Sequence, residues 1–207
     1  MQRTWWPDPV YNPLSSNITC NWNGAAGAFH APISAGDNIT AHWDNDFLWD
    51  DPTAGLRTEN TGIFYCDPKS YTNITECPYR QWYHFQGPIL AYLADCDGDC
   101  TTVDPSALKW FKIAESTLKP GHALIDSAGW DQEPLTWSTN NPGWTITIPE
   151  NLKSGRYLIR HEILYILNKP TQIFPYCAQI EVSGKGTESP DEEYLVKFPG
   201  AYKLSGM

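Results

Sequence analysis

Long hydrophobic runs and an excess of positive charge are both missing from this 207-residue sequence. Its apolar runs reach only a handful of residues, as at 163–167, whereas a membrane-spanning helix needs roughly 20. The 14 Lys and Arg residues are outnumbered by 24 Asp and Glu, so the formal charge at pH 7 is −10 and the pI is near 4.8. This charge opposes binding to a polyphosphate. We therefore expect neither a membrane span nor a nucleic-acid partner.

Charged side chains are also scarce, at 18% of the sequence, while aromatic residues reach 14% and include 10 Trp and 11 Tyr. This composition is too aromatic for a disordered chain, and it lacks the periodicity of a helical bundle. A chain of this length makes one ordinary domain with a real core, or at most two small ones. No linker or internal repeat interrupts it, so we expect a single domain over residues 1–207.

Alternation of apolar and polar residues predicts a mostly β structure. Short segments with a period of two recur between Gly, Pro, Asn and Asp residues, and no long amphipathic helix is evident. In the longest candidate, 157–163, His161 lies on the apolar face, opposite to Arg160 and Glu162. The other strand candidates are 38–43, 89–94, 110–113, 144–148 and 178–182. Several short strands predict a two-sheet sandwich, with the aperiodic stretch 44–83 as a long loop.

Six Cys residues and three N-glycosylation acceptor patterns together indicate an extracellular protein. The patterns begin at Asn17, Asn38 and Asn73 and predict surface glycans. Residues 1–9 have neither the basic start nor the apolar stretch of a secretory signal. We therefore expect that a preceding segment is missing or was removed.

The cysteines allow 15 disulfide connectivities, and their spacing favours some of them. One pair is close enough to enclose a tight Gly-containing turn, and another falls within the long loop. The last pair would then cross the molecule and act as its main constraint. The favoured pairs are Cys96–Cys100, Cys66–Cys77 and Cys20–Cys177.

Common catalytic motifs are absent. Histidines stand at 30, 42, 84, 122 and 161 and form no paired metal motif, which disfavours a zinc hydrolase. The sequence has no Gly-x-Ser-x-Gly elbow and no phosphate-binding Gly loop. Carboxylates are plentiful, but no spacing singles out a glycosidase pair.

Several blocks of sequence nevertheless resemble one known family. In chain order they are HFQGP at 84–88, WFKI at 110–113, Trp144 followed by Ile148-Pro149, GRYLIRHE at 155–162, QIFPYCAQ at 172–179 and FPGAY at 198–202, preceded by Cys20-Asn21. Their order resembles that in the fungal AA9 lytic polysaccharide monooxygenases, over about residues 17–202. The resemblance implies a disulfide-stapled, immunoglobulin-like (fibronectin III-like) β-sandwich with long loops. It also implies secretion, a monomer, a flat face that lies on cellulose or another β-glucan, and the pairs Cys20–Cys177 and Cys96–Cys100.

The same resemblance implies a copper site. Members of the family hold one copper through the amino group and imidazole of an N-terminal histidine and through a second histidine, with an axial tyrosine. By motif, His84 takes the place of the second histidine, and His161 with Gln172 resembles the outer catalytic pair. Phe174 stands where the tyrosine is usual. Imidazole and amine nitrogens suit copper, and outer hydrogen bonds tune such a site.

The sequence departs from the family pattern at its start and around His84. No counterpart of the N-terminal histidine precedes the first matching block, so two of three nitrogen ligands lack a match. His30 and His42 are the nearby alternatives, from a loop and from the polar side of a strand. Two residues separate His84 from Gly87, where the family more often has one or none. We expect copper binding by this chain to be weak or absent.

Three functions follow from these observations. The first is a secreted protein that binds cellulose, β-glucan or xylan-coated cellulose and assists hydrolases without oxidation. The alternative is an active copper-dependent monooxygenase whose N-terminal histidine segment is not in this chain. A third is a lectin-like module without ancestral chemistry.

Individual residues have structural alternatives as well. His84 is either a copper ligand or a remnant loop histidine, and His161 either serves the outer pair or is a buried histidine bonded to Gln172. Tyr202 and the pair Trp5 and Trp6 either stack on pyranose rings or pack in the core or at an edge.

Overall fold

The computed structural model describes residues 2–3, 8–22, 24–43, 82, 84–136 and 142–204. The predictions that concern Trp5 and Trp6, the Cys66–Cys77 pair and Asn73 lie outside these residues. Regular structure in the described part consists of strands and short 3-10 helices, with no α-helix. No helix among the described residues has the length and apolar character needed to cross a bilayer.

Seven strands form two sheets in the described part of the chain. The strands are β1 (Ala31–Ser34), β2 (Asn38–Ala41), β3 (Ile89–Asp95), β4 (Phe111–Ser116), β5 (Trp144–Thr147), β6 (Gly155–Tyr165) and β7 (Gln172–Ser183). The larger sheet has the order β1-β7-β6-β3-β4, and β2 pairs with β5 in the smaller one. All pairs are antiparallel except β1 with β7. The 3-10 helices are Ser16–Ile18, Pro105–Ala107, Ser127–Gly129, Glu133–Thr136 and Glu192–Tyr194.

The predicted all-β sandwich is confirmed, and its core lies on both faces of the larger sheet. On one face, Ile159 and Ile180 pack with Ile146 and Ile148 from the region of β5, which joins the two sheets. Alternating side chains such as Leu158 point to the opposite face. Hydrophobic burial of this kind is the main favourable term in folding.

A third cluster extends the first face toward the β6–β7 turn. It includes Ile163, Phe174, Trp43 and Trp82, which are all buried. Phe174 is one of the predicted site residues, and Trp82 lies two residues before His84 in the chain. This end of the sandwich therefore contains the candidate site.

Most predicted strands are confirmed, with changes at their ends. The candidate 178–182 is the last part of the 12-residue β7, since Pro175 does not interrupt it. Strand β1 was not predicted, because only four residues pair, in parallel with β7. The predicted alternation in β6 is also confirmed, but the face of Arg160 and Glu162 is as buried as the apolar one. A charged pair in the core has no signature in a period-two pattern.

Two disulfides are present among the described residues, Cys20–Cys177 and Cys96–Cys100, as predicted. The first joins positions 157 apart in sequence and fixes the segment before β1 against β7. The second encloses the turn after β3, in which Gly98 has a φ of 139°. Glycine adopts such a backbone without the steric cost of a side chain.

Candidate functional site

His84 lies at the end of the sandwich where the β6–β7 hairpin turns. The loop that contains it leads directly into β3 and is bonded to the end of β6. The amide of Leu164 donates to the carbonyl of Pro88 at 3.1 Å, and the amide of Ile166 donates to the carbonyl of Gln86 at 3.2 Å. The backbone after His84 is therefore held against β6.

Aromatic rings surround the imidazole of His84. It stacks on Tyr165 with 4.1 Å between ring centroids and 10° between planes. Trp82 meets it edge-on at 5.0 Å, and Phe174 lies at 5.6 Å. Burial lowers the pKa of His84 to about 4 because the charged imidazolium would lose hydration. At neutral pH the side chain is uncharged, which is the form that binds a metal.

His161 and Gln172, which resemble the outer pair by motif, do not bond to each other. Gln172 lies opposite Tyr165 in the register of β6 and β7, whereas His161 lies opposite Tyr176. The two positions are four residues apart along the strands, or roughly 13 Å. The Gln172 amide nitrogen donates instead to the hydroxyl of Tyr11 at 3.2 Å. Of the two alternatives for His161, the one in which it bonds to Gln172 is therefore not observed, since sequence motifs do not fix cross-strand register.

His161 is enclosed by tryptophan. Trp43 and Trp144 meet its ring edge-on at 6.2 and 6.3 Å. Its Nε2 and the Oε1 of Gln172 are buried without a hydrogen-bond partner among the described residues. Burial lowers the pKa of His161 to about 4. Both side chains lie on the face of His84 and Phe174, so the motif residues share one side of the sheet even though they do not form a pair.

Tyr202 lies on the other side. Its hydroxyl donates to the buried carboxylate of Glu162, and its ring packs at 5.7 Å from Phe198. Burial, and then the charge of Glu162, raise the pKa of Tyr202, so the phenol keeps its proton. Because Glu162 points away from the face of His161, this geometry favours the packing alternative for Tyr202.

The described residues complete no metal site. No group of three or more His, Cys, Asp or Glu side chains comes together among them. The Nε2 of His30 accepts from the amide of Cys100 at 3.2 Å, at the turn of the short disulfide, and is not beside His84. His42 is exposed after β2. The described part of the chain thus offers His84 as one imidazole for copper and does not by itself fit a three-nitrogen site.

Two exposed aromatic residues are linked to the predicted site residues, one by sequence and one by a hydrogen bond. Phe85, the next residue in the chain after His84, is 41% exposed, and Tyr11, bonded to Gln172, is 46% exposed. Neither was predicted from the sequence, nor were the ring contacts of Trp82 and Tyr165. The position of Phe85 next to His84 was the only signal available.

Predicted glycan positions differ in exposure. Asn38 is exposed on β2, and its side-chain oxygen accepts from the hydroxyl of Thr147 at 2.8 Å. Asn17 is half-buried in the first 3-10 helix. Asn38 is therefore the more accessible of the two.

Comparison with known proteins gives consistent matches. The model of Auxiliary Activity family 9 (formerly GH61) matches residues 2–206. AA9 family lytic polysaccharide monooxygenase B of Heterobasidion irregulare is 35% identical over 211 residues, covering 99% of this chain and 70% of its own length. AA9 family lytic polysaccharide monooxygenase A of Geotrichum candidum is 34% identical over 199 residues, covering 94% of this chain. The chain spans only 53% of that relative.

A solved structure is similar as well. The crystal structure of a cellulose-active polysaccharide monooxygenase from M. thermophila has a TM-score of 0.74 and 30% sequence identity. The similarity covers 99% of this chain and 75% of that one. The similarity therefore extends from the sequence to the fold.

Proposed function

Because this chain belongs to Auxiliary Activity family 9, we propose that it is a secreted protein that binds cellulose, β-glucan or xylan-coated cellulose and assists hydrolases. The observation that carries the proposal is the exposed ring of Phe85, the residue that follows the buried His84 in the chain. Aromatic faces suit the C–H faces of pyranose rings and lose little entropy on ordering. Cellulose is uncharged, so the net charge of −10 does not oppose contact.

The proposal includes weak copper binding by these 207 residues. It rests on His84 being a single imidazole at the site within the described residues, with no group of three ligands there. Burial keeps this imidazole neutral at neutral pH, which is the form that binds a metal. One nitrogen holds a metal loosely and exchangeably.

Oxidative cleavage is the second candidate. It is favoured by the neutral His84 and by the buried, unbonded polar atoms of His161 and Gln172 on the same face. Phe174 supplies the apolar wall behind His84. Copper, when bound, would supply the redox chemistry that oxidises a C–H bond of the polymer.

Adsorption to insoluble polysaccharide tests the first proposal. Phe85→Ala is expected to weaken adsorption to cellulose roughly fivefold to tenfold, the value of one aromatic contact. Phe29→Ala is the matched control, since Phe29 is exposed but its carbonyl bonds to Gln179, far along β7 from His84. No adsorption by the unmodified chain to cellulose, β-glucan or xylan-coated cellulose would overturn the proposal.

Copper titration and product analysis separate the two candidates. Calorimetry and electron paramagnetic resonance are expected to show binding no tighter than micromolar that is lost in His84→Ala. Release of C1- or C4-oxidised oligosaccharides by the unmodified chain with copper and a reductant would instead establish the monooxygenase.

Secretion is supported by the disulfides and by exposed Asn38. Expression through a eukaryotic secretory pathway should give a monomer whose mass falls on treatment with a peptide-N-glycosidase. The Asn38→Gln variant should lose one glycan. An unmodified Asn38 in the secreted protein would contradict this part of the proposal.

A further inference from the structure

We infer that Gln132 is a positioning residue that fixes the chain on both sides of His84 and thereby sets the place of the imidazole. Gln132 touches neither substrate nor metal in this role and acts through its neighbours. The inference depends on the proposed function only in that His84 belongs to the working site.

The carboxamide of Gln132 joins three segments. It is fully buried just before the 3-10 helix Glu133–Thr136. Its Nε2 donates to the carbonyl of Gly87 at 2.7 Å and to the carbonyl of Leu164 at 2.6 Å. Its Oε1 accepts from the indole nitrogen of Trp82 at 2.8 Å. Only an amide can donate twice and accept once in this arrangement, so Gln is required by chemistry as well as by size.

These contacts bracket His84 in the chain. Trp82 lies two residues before His84 and packs against its ring, while Gly87 lies three residues after it. The Gln132 side chain therefore bonds to the indole two residues before His84 and to the backbone carbonyl three residues after it. Because the indole also packs at 4.8 Å against Phe174, the hydrogen bond between Trp82 and Gln132 positions a ring that contacts both His84 and Phe174.

The backbone at Gly87 lies very close to the backbone at Leu164, and the carbonyl oxygens of both residues accept from the same nitrogen. A Cβ at Gly87 would lie 1.9 Å from the carbonyl oxygen of Leu164. Two carbonyl oxygens that converge on one point need a shared donor, since buried unbonded carbonyls are costly. Gln132 supplies that donor from a third segment, outside both β6 and the loop that contains His84.

Chemical modification of His84 tests the inference without copper or polysaccharide. The whole protein is treated with diethyl pyrocarbonate at pH 7, and modification of each histidine is followed by peptide mass spectrometry. In Gln132→Met, which keeps the volume but loses three hydrogen bonds, His84 should react roughly 100-fold faster through local opening. In Trp82→Phe, which loses one of the three, the increase should be roughly fivefold.

A matched control and an internal reference separate positioning from general stability. Gln86→Ala is the matched control, because it also removes the hydrogen bond of a glutamine amide near His84. That amide donates to the carbonyl of Ile125 at 3.1 Å, but at the surface. This substitution should change the reactivity of His84 less than about twofold. His161, buried between tryptophans, should keep its reactivity in every variant.

Histidine NMR at fixed pH gives a second readout. The ring resonances of His84, shifted by stacking on Tyr165, should move toward random-coil positions in Gln132→Met while those of His161 stay. Equal changes at both histidines, or none at His84 in a folded variant, would overturn the inference. If Gln132→Met does not fold, Trp82→Phe decides in the same way. Failure of cellulose binding in the unmodified protein would refute the proposed function and leave this result unaffected.

Discussion

Replacing Glu162 by Gln tests the buried charged network behind the sheet. The carboxylate of Glu162 bonds to Arg160 at 2.6 Å and accepts from Tyr202, and both members of the ion pair are fully buried. Arg160 also donates to the carbonyls of Thr19 and Ile18, each at 2.8 Å. The network therefore ties β6 to the segment before the long disulfide.

The magnitude follows from what the substitution leaves behind. Removing one partner of a buried ion pair exposes the other charge to an apolar environment, which typically costs 3–5 kcal/mol. Gln keeps the shape and one acceptor for Arg160, whose guanidinium also lies 3.9 Å from the ring centroid of Phe198. We therefore expect Glu162→Gln to lower the free energy of unfolding by about 3 kcal/mol, a large part of the 5–15 kcal/mol typical of a domain.

Urea unfolding at pH 7 measures this loss as a shift in midpoint at constant slope. Glu192→Gln is the matched control, because Glu192 bonds to Lys109 at 2.6 Å on the surface, where the side chains are 78% and 49% exposed. That change should cost less than about 1 kcal/mol. The double variant with Arg160→Met should be less destabilised than the sum of the two single changes, because the stranded charge is gone. Equal effects of Glu162→Gln and Glu192→Gln would refute the reasoning.

Three further predictions concern stability. Burial lowers the pKa of His161 from 6.5 to about 4, so the unfolded chain binds a proton there before the folded protein does, and the folded protein loses stability as the pH decreases through this window. The cost of His161→Gln in urea unfolding should therefore shrink by about 2 kcal/mol from pH 7 to pH 4.5. An unchanged cost would contradict this. Gly87→Ala should cost at least about 3 kcal/mol, since the site has a φ of +144° and a contact at 1.9 Å. Gly98→Ala, with a φ of +139° and open space, should cost about 1 kcal/mol, and similar losses would disprove the clash. Removing Cys20–Cys177 by double replacement with Ala should lower the free energy of unfolding by about 5 kcal/mol, against about 2 for the short disulfide, because loop entropy grows with the separations of 157 and 4; thermal unfolding that ranks them in reverse would rule this out.

Local sequence patterns were sufficient to predict the fold class and the motif residues. Period-two alternation identified β2, β5 and β6, because the alternation of neighbouring residues directly shows the two faces of a strand. It did not identify β1, whose four residues owe their strand to pairing with β7. The burial of Arg160 and Glu162 was also beyond reach, since their partners lie far away in sequence.

The candidate site divides in the same way. The block around His84 and the block 172–179 were recognisable because each is a short contiguous string. Their relation was not, because it depends on the β6–β7 register, in which Gln172 lies opposite Tyr165 and His161 lies opposite Tyr176. Gln132 had no signal at all, as its three bonds reach residues 32 to 50 positions away.

By itself, the sequence determined an all-β, cysteine-bridged protein of the AA9 family, with His84, His161 and Phe174 in the blocks that resemble that family. Those properties depend on residues close together in the chain. Only the tertiary structure decided that Tyr202 turns inward, that Phe85 is exposed beside His84, and that Gln132 holds the loop. Such relations depend on strand register and on contacts between distant segments, where free energy is set by packing and hydrogen bonding in three dimensions rather than by local pattern.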